Sequence, residues 1–233
     1  MSENPPRSRD EFESVLRAVE RSYWDKHPFH QRMDSGELDA ADLRAWVANR
    51  WYYQRSLPQK DAAIIANCSL PEIRRRWLPR ITYHDGTTDS NGGCARWLLL
   101  ADAVGLSRAE VIDERHILPG VRFAVDSYVS FTRTRPWTES IASSLTELFA
   151  PQAMAARTVA LRRHYPWLDQ KALAYFDARI PRAQKECADA LDIVLTHCTS
   201  RESQDAAARA LEFKTDVLWS ILDAIEHSRS VLR

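Results

Sequence analysis

Apolar residues recur at three- and four-residue intervals along almost the whole chain, and no stretch shows the alternation of a half-buried strand. Phe12, Val15, Leu16 and Val19 give a first amphipathic helix. Pro28 interrupts the pattern at HPFH. Asp39 or Asp42 caps a long helix running to about Arg55, and Pro58 opens the next. A helix from about Pro71 carries EIRRRWLPRITYH and is kinked at Pro79. The stretch 85–93, DGTTDSNGG, is dense in turn residues and reads as a loop. Helices follow over about Cys94–Val104, Ser107–Arg115 and Pro119–Arg133. Trp137–Arg163 reads as one helix or two, divided at Pro151. Gln170–Cys198 is helical with a break near Pro181, and Ser203–Ser228 closes the pattern. The expectation is a single all-α domain over 8–233, a compact bundle of about seven principal helices, after a loose tail at 1–7. No fixed-period repeat and no linker divides it.

Composition narrows the possibilities. The 233 residues suffice for one sizeable core. Thirty-two basic residues balance 32 acidic ones, which argues against a nucleic-acid-binding face over the whole protein but permits a local basic pocket. Only six glycines agrees with helix over strand. Cys68, Cys94, Cys187 and Cys198 form no CxxC and read as reduced thiols of a cytoplasmic protein. No run of about 18 apolar residues suggests a membrane span. The polar start, MSENPPRSRDEFES, is unlike a signal peptide.

The densest chemistry lies in WVANRWYYQRSLPQKDAAIIANC, Trp46 to Cys68. Arg50 and Gln54 are four apart and share a helix face, with Lys60 further along. Polar groups among Trp46, Trp51, Tyr52 and Tyr53 must be paired if buried, and an anionic ligand between helices would pair them. No GxGxxG, Walker loop, GxSxG, HExxH or ExxH motif is present, so no protein-bound cofactor or metal is expected. His27 and His30 have a spacing compatible with one metal, but Pro28 between them favours a helix cap. His84 ends a helical run; it reads either as a C-terminal cap or as a group that takes and gives protons. Tyr175 and Arg179 are a further i,i+4 pair, either solvated or set to bind a carbonyl and a carboxylate. Thr146, Glu147 and Arg157 punctuate a small, apolar stretch, the last two either as an ion pair or as ligand contacts. Tyr128 is a core tyrosine or a ligand contact. Lys214 interrupts the hydrophobic ALEFKTDVLWSIL and either snorkels or faces a pocket.

This stretch, with ITYHDG at 81–86, LPGVRFAVDSYV at 118–129, SSLTELFAPQ at 143–152, HYPW at 164–167 and FKTDVLWSILDA at 213–224, resembles the pyrroloquinoline quinone (PQQ) synthases, the PqqC family. The likeness spans about residues 20–227. It implies a haem-oxygenase-like helical bundle around a central pocket, and a homodimer. It also implies a reaction: ring closure and oxidation of a bicyclic quinone precursor bearing several carboxylates, with molecular oxygen as acceptor and hydrogen peroxide released, and no metal or flavin. On that likeness His84, Tyr175 and Arg179 are the catalytic group. Arg50, Gln54, Lys60, Tyr128, Thr146, Glu147, Arg157 and Lys214 then bind substrate. The likeness departs at Met154 and Trp24, where the family pattern carries histidine. Alternatives are a thiaminase-like relative, which needs a pocket cysteine such as Cys68 or Cys187, a metal-dependent oxidase on the same scaffold, or a carrier of the finished quinone. A fusion to a small carrier domain in some relatives leaves open that the chain is part of a longer one.

Overall fold

Local capping chemistry sets many of the helix boundaries in the computed structural model, which describes residues 4–231. Ser8 and Glu11 form a reciprocal capping box at the start of α1 (Arg9–Ala18). The His27 ring accepts from the Phe29 N–H and so caps α2 (Pro28–Ser35), as the position of Pro28 suggests. Asp39 and Asp42 both take part in the box that starts α3 (Ala40–Asn67). The chain continues through α4 (Pro71–Trp77), α5 (Pro79–Asp85), α6 (Gly93–Ala103), α7 (Arg108–Ile112), α8 (Pro119–Thr134) and α9 (Trp137–Ser143). It ends in α10 (Ala150–His164), α11 (Ala174–His197) and α12 (Arg201–Val231). Twelve α-helices stand among the described residues, and α1, α3, α6, α8, α10, α11 and α12 have ten residues or more. Those seven answer to the principal helices read from periodicity; of the short ones, α2, α4, α5 and α9 begin at or just after a proline, and α7 begins at the Ser107 capping box.

Three expected breaks are displaced. α3 does not stop near Arg55 but runs through Pro58 to Asn67. A proline there removes the N–H that would bond the Gln54 carbonyl; the Cys94 thiol lies 3.8 Å from that oxygen instead. α3 buries residues on every side, so packing outweighs the lost bond. Pro181 likewise lies inside a continuous α11. The division of Trp137–Arg163 falls at the 3₁₀ turn Ser144–Leu148, and Pro151 sits in the first turn of α10, where its missing N–H costs nothing. The helix at Ser107 is shorter than expected, ending at Ile112, with Glu114 in the left-handed region at φ 61°.

The 85–93 stretch holds a minimal hairpin, β1 (Gly86–Thr87) against β2 (Ser90–Asn91), antiparallel with Gly86 opposite Asn91. Glycine is required at 92, where a Cβ would stand 2.3 Å from the His84 carbonyl oxygen. The backbone at Gly92 therefore lies close against His84, near the end of α5.

α3 is the central rod, about 42 Å long at 1.5 Å per residue, packed by α5, α6, α8 and α12. One contiguous core runs from Phe12 to Ile225. At its centre Trp97 meets Trp46 and Tyr175 edge-on, at 5.4 and 5.0 Å, and donates its indole N–H to the Val47 carbonyl at 3.1 Å. Of the tail expected over 1–7, residues 1–3 lie outside the described residues. Arg7 bonds α12 through Gln204 and Asp205. No helix among the described residues is long and apolar enough to cross a membrane.

Candidate active site

A cavity of about 50 Å³ lies inside the bundle. α3 supplies Arg50, Tyr53, Lys60 and Asp61 to its wall; α5 supplies Arg80 and His84. Tyr128 comes from α8, and Ser144, Thr146 and Glu147 come from the 3₁₀ turn. α11 adds Tyr175 and Arg179, and α12 adds Lys214. Trp24 and, from α10, Met154 add to the wall, so segments far apart in sequence converge on one point.

The cations at this point divide into two classes. Arg80 and Arg179 are saturated by carboxylates. Arg80 Nη1 meets both oxygens of Glu147 at 2.8 and 2.7 Å, and its Nη2 donates to the Glu186 carbonyl at 2.6 Å. Arg179 donates to Glu147 at 2.7 Å and to Glu186 at 2.8 Å. Arg182 closes the cluster on Glu186 at 2.7 Å. Burial works against the charges of Arg179 and Glu147, but the opposite charges outweigh it, raising the arginine and lowering the carboxyl. Lys60 belongs to the same class. Burial opposes its charge, Asp61 at 2.6 Å overcomes it, and Nζ also donates to Ser144 at 2.8 Å. Trp77 holds Asp61 from behind at 2.8 Å.

Arg50, Lys214 and Arg157 form the second class: among the described residues none has a carboxylate partner. Arg50 Nη1 is buried without a hydrogen bond, and the guanidinium lies over the rings of Trp24 and Tyr53, 4.6 and 4.3 Å from their centres. Lys214 Nζ is buried without a hydrogen bond above Tyr128 and Tyr53, at 3.6 and 4.0 Å. Burial, then repulsion from Lys60 and Arg50, pushes this amine well below the usual lysine range. Arg157 stands behind Trp24, its Nη2 2.9 Å from His30 Nδ1 and its Nε unpaired. Aromatic faces return about 2 kcal/mol to a desolvated cation, less than the several kcal/mol its dehydration costs. A multiply anionic guest would make up that deficit.

His84 is buried, and its Nδ1 lies 3.1 Å from Gln54 Nε2. Gln54 Oε1 accepts from the Tyr175 hydroxyl at 2.9 Å. Burial, then Arg179, Lys60, Arg80 and Arg50, pushes the imidazole well below its usual value, so it is neutral near pH 7.

Of the eleven residues singled out from sequence, Arg50, Lys60, His84, Tyr128, Thr146, Glu147, Tyr175, Arg179 and Lys214 border the cavity. Gln54 and Arg157 do not: Gln54 stands behind His84 and Tyr175, and Arg157 behind Trp24. The ion pair imagined between Glu147 and Arg157 is absent, because Glu147 pairs with Arg80 and Arg179. Met154 and Trp24 both line the cavity, and Trp24 also packs edge-on against His30 at 4.8 Å. Sequence reasoning missed Tyr53, Asp61, Arg80 and Glu186. Arg80 precedes His84 by four residues on one helix face, a usable signal, and Asp61 follows Lys60 in a helix buried all round. Glu186 gave none. Neither Cys68 nor Cys187 borders the cavity, and burial pushes the Cys187 thiol up to about 11. Among the described residues no three His, Cys, Asp or Glu side chains are grouped to hold a metal ion.

Residues 13–224 match the TENA/THI-4/PQQC family. The pyrroloquinoline-quinone synthase of Rhizobium rhizogenes is 51% identical over 222 residues, covering 95% of this chain and 90% of that one. The enzyme of the same name from Pseudomonas aeruginosa is 49% identical, covering 93% and 87%. Among solved structures, a domain with a heme oxygenase-like fold from Shewanella denitrificans superposes with a TM-score of 0.81 at 14% identity, covering 97% of this chain and 95% of that one. A TenA homologue from Pseudomonas syringae gives 0.76 at 12%, covering 97% and 99%. At such identities these two speak for the fold alone.

Proposed function

The chain belongs to the TENA/THI-4/PQQC family, and on that premise we propose that its cavity completes pyrroloquinoline quinone, closing the last ring of a bicyclic quinone precursor and passing the electrons to molecular oxygen. It is an enzyme of pyrroloquinoline quinone synthesis, acting on a small-molecule precursor. The observation that carries the finer reading is the set of buried cations without carboxylate partners, Arg50 and Lys214 at the cavity and Arg157 behind it. A planar guest with several carboxylates would neutralise them, and its quinone oxygens would take the remaining donors.

The roles follow from position. Arg50 and Lys214, both within 4.3 Å of the Tyr53 ring centre, grip carboxylates. Lys60, held by Asp61 and Ser144, offers a fixed donor, while Tyr128 and Thr146 shape the wall. Glu147 fixes Arg179, so the charge that Arg179 presents has a set direction. His84 and Tyr175, side by side on Gln54, move protons and line the oxygen site. The electron-rich substrate carries the redox chemistry itself: each two-electron step sends two electrons and two protons to oxygen, which leaves as hydrogen peroxide. The protein supplies orientation, charge and a closed site. We take residues 8–233 as one catalytic domain, cytoplasmic and homodimeric, using no metal or flavin.

A cavity of about 50 Å³ holds one or two waters, so the precursor enters only as the surrounding helices part. The thiaminase-like alternative loses ground because no cysteine borders the cavity. Aerobic incubation of metal-stripped protein with the precursor, followed by absorbance and oxygen uptake, tests the proposal. Product with stoichiometric peroxide supports it; a bound, unchanged precursor would make the protein a carrier.

A further inference from the structure

Gln54 is wholly buried and lies outside the cavity wall, yet its side chain bonds two residues that form that wall. An amide has donors at one end and an acceptor at the other, so its orientation dictates where both partners keep their protons. Here Nε2 faces His84 Nδ1 at 3.1 Å and can only donate. His84 therefore carries its proton on Nε2, the ring nitrogen left for the cavity. Oε1 takes the Tyr175 hydroxyl proton at 2.9 Å, so Tyr175 offers the cavity a lone pair. Half a turn of the amide would reverse both. His84 would then give its Nδ1 proton to Oε1 and show the cavity a bare Nε2, and Tyr175 would accept from Nε2 and release its O–H inward.

We propose that Gln54 is a positioning residue that couples His84 to Tyr175, so that only one of the two presents a proton to the cavity at a time. An acid and a base are thereby always paired, and the amide's orientation selects which is which. The setting suits the role. The charges facing His84 are Arg50 and Lys60 from α3, Arg80 from α5 and Arg179 from α11, with Tyr83 and Tyr175 as the neighbouring phenols. No carboxylate touches the ring among the described residues, and four cations disfavour imidazolium. The tautomer is then the variable that remains. Pro58, four residues on, removes the N–H that would bond the backbone carbonyl of Gln54, and the Cys94 thiol lies 3.8 Å from that oxygen, so helix bonding holds this turn less tightly.

The inference rests on the proposed reaction for its purpose but is tested without substrate. In protein carrying histidine labelled with ¹⁵N in the ring, the His84 signals are assigned by their loss in His84→Gln. Wild type should show Nε2 protonated and Nδ1 bare. In Gln54→Glu, whose carboxylate only accepts, the proton should move to Nδ1. In Tyr175→Phe, which removes one anchor of the amide, the tautomer ratio should shift at least about fivefold toward Nδ1–H. Gln54→Met, matched in length, should leave a mixture. Circular dichroism selects the folded variants, and either the Gln54 or the Tyr175 substitution alone suffices. A His84 tautomer identical in wild type and every folded variant would overturn the coupling, whatever the turnover assay gives. A correct tautomer response without turnover would count against the reaction and leave the coupling standing.

Discussion

Lys214 Nζ lies 3.6 Å from the centre of the Tyr128 ring, with no hydrogen-bond partner of its own. An ammonium in that position is held by π-electrons alone, and burial drives it toward the neutral amine. Lys214→Met keeps the stem and removes the dehydrated group. It should raise the stability of ligand-free protein by about 1–2 kcal/mol, measured by urea unfolding. A loss of stability would mean that the lysine finds a partner which compensates it.

The Arg80–Glu147–Arg179–Glu186 cluster should respond in the opposite sense. All four side chains are at least nearly buried, so Glu186→Gln strands part of the charge on Arg179 and Arg182. The expected cost is about 3 kcal/mol, and Glu186→Gln and Arg179→Met together should cost less than their sum. Strict additivity in the double-mutant cycle would show that the cluster does not act as a unit.

How far this was legible in the sequence depends on the kind of feature. The helices were, because Phe12, Leu16 and Val19 or Leu211, Leu218 and Leu222 repeat with the helical period, and seven long helices follow. Breaks assigned to Pro58 and Pro181 were not real ends: α3 is buried on every side, which no local pattern reports, and α11 continues through an exposed Pro181 on the burial of one face, Phe176, Arg179, Ala183 and Glu186. The aromatic stretch around Arg50 marked the cavity because polar groups in such company need partners. Which partner each one takes depends on tertiary contacts between α3, α5, α11 and α12. For that reason the pairing of Glu147 with Arg80, and the retreat of Gln54 and Arg157 behind the wall, were beyond reach.

Stability should fall as pH falls through the histidine range. Burial and then Arg157 push His30 well below its usual value; burial and then Arg179 do the same to His84. The unfolded chain, with ordinary histidines, takes up protons below about pH 6.5 that the folded chain refuses, so the folded state loses ground from there downward to the depressed native values. His30→Asn should flatten the slope of unfolding free energy between about pH 7 and 5.5. An unchanged slope would mean that His30 titrates normally in the fold.

His84→Ala should separate binding from chemistry. The ring does not pair with any of the partnerless cations, so product affinity should stay within about threefold, while loss of a proton-transfer group should slow oxidation by about 10²–10⁴-fold. Stopped-flow absorbance under air measures both. Equal loss of binding and rate would make His84 a structural prop of the cavity.

The partnerless cations of this cavity, Arg50 and Lys214, exist for the carboxylates of its guest. Equilibrium dialysis of pyrroloquinoline quinone against wild type, Arg50→Met, Lys214→Met and the double variant measures that dependence. Each single substitution should cost about tenfold or more in affinity, about 1.4 kcal/mol apiece, in proteins that remain folded. Undiminished affinity in the double variant would contradict it and place the carboxylates elsewhere.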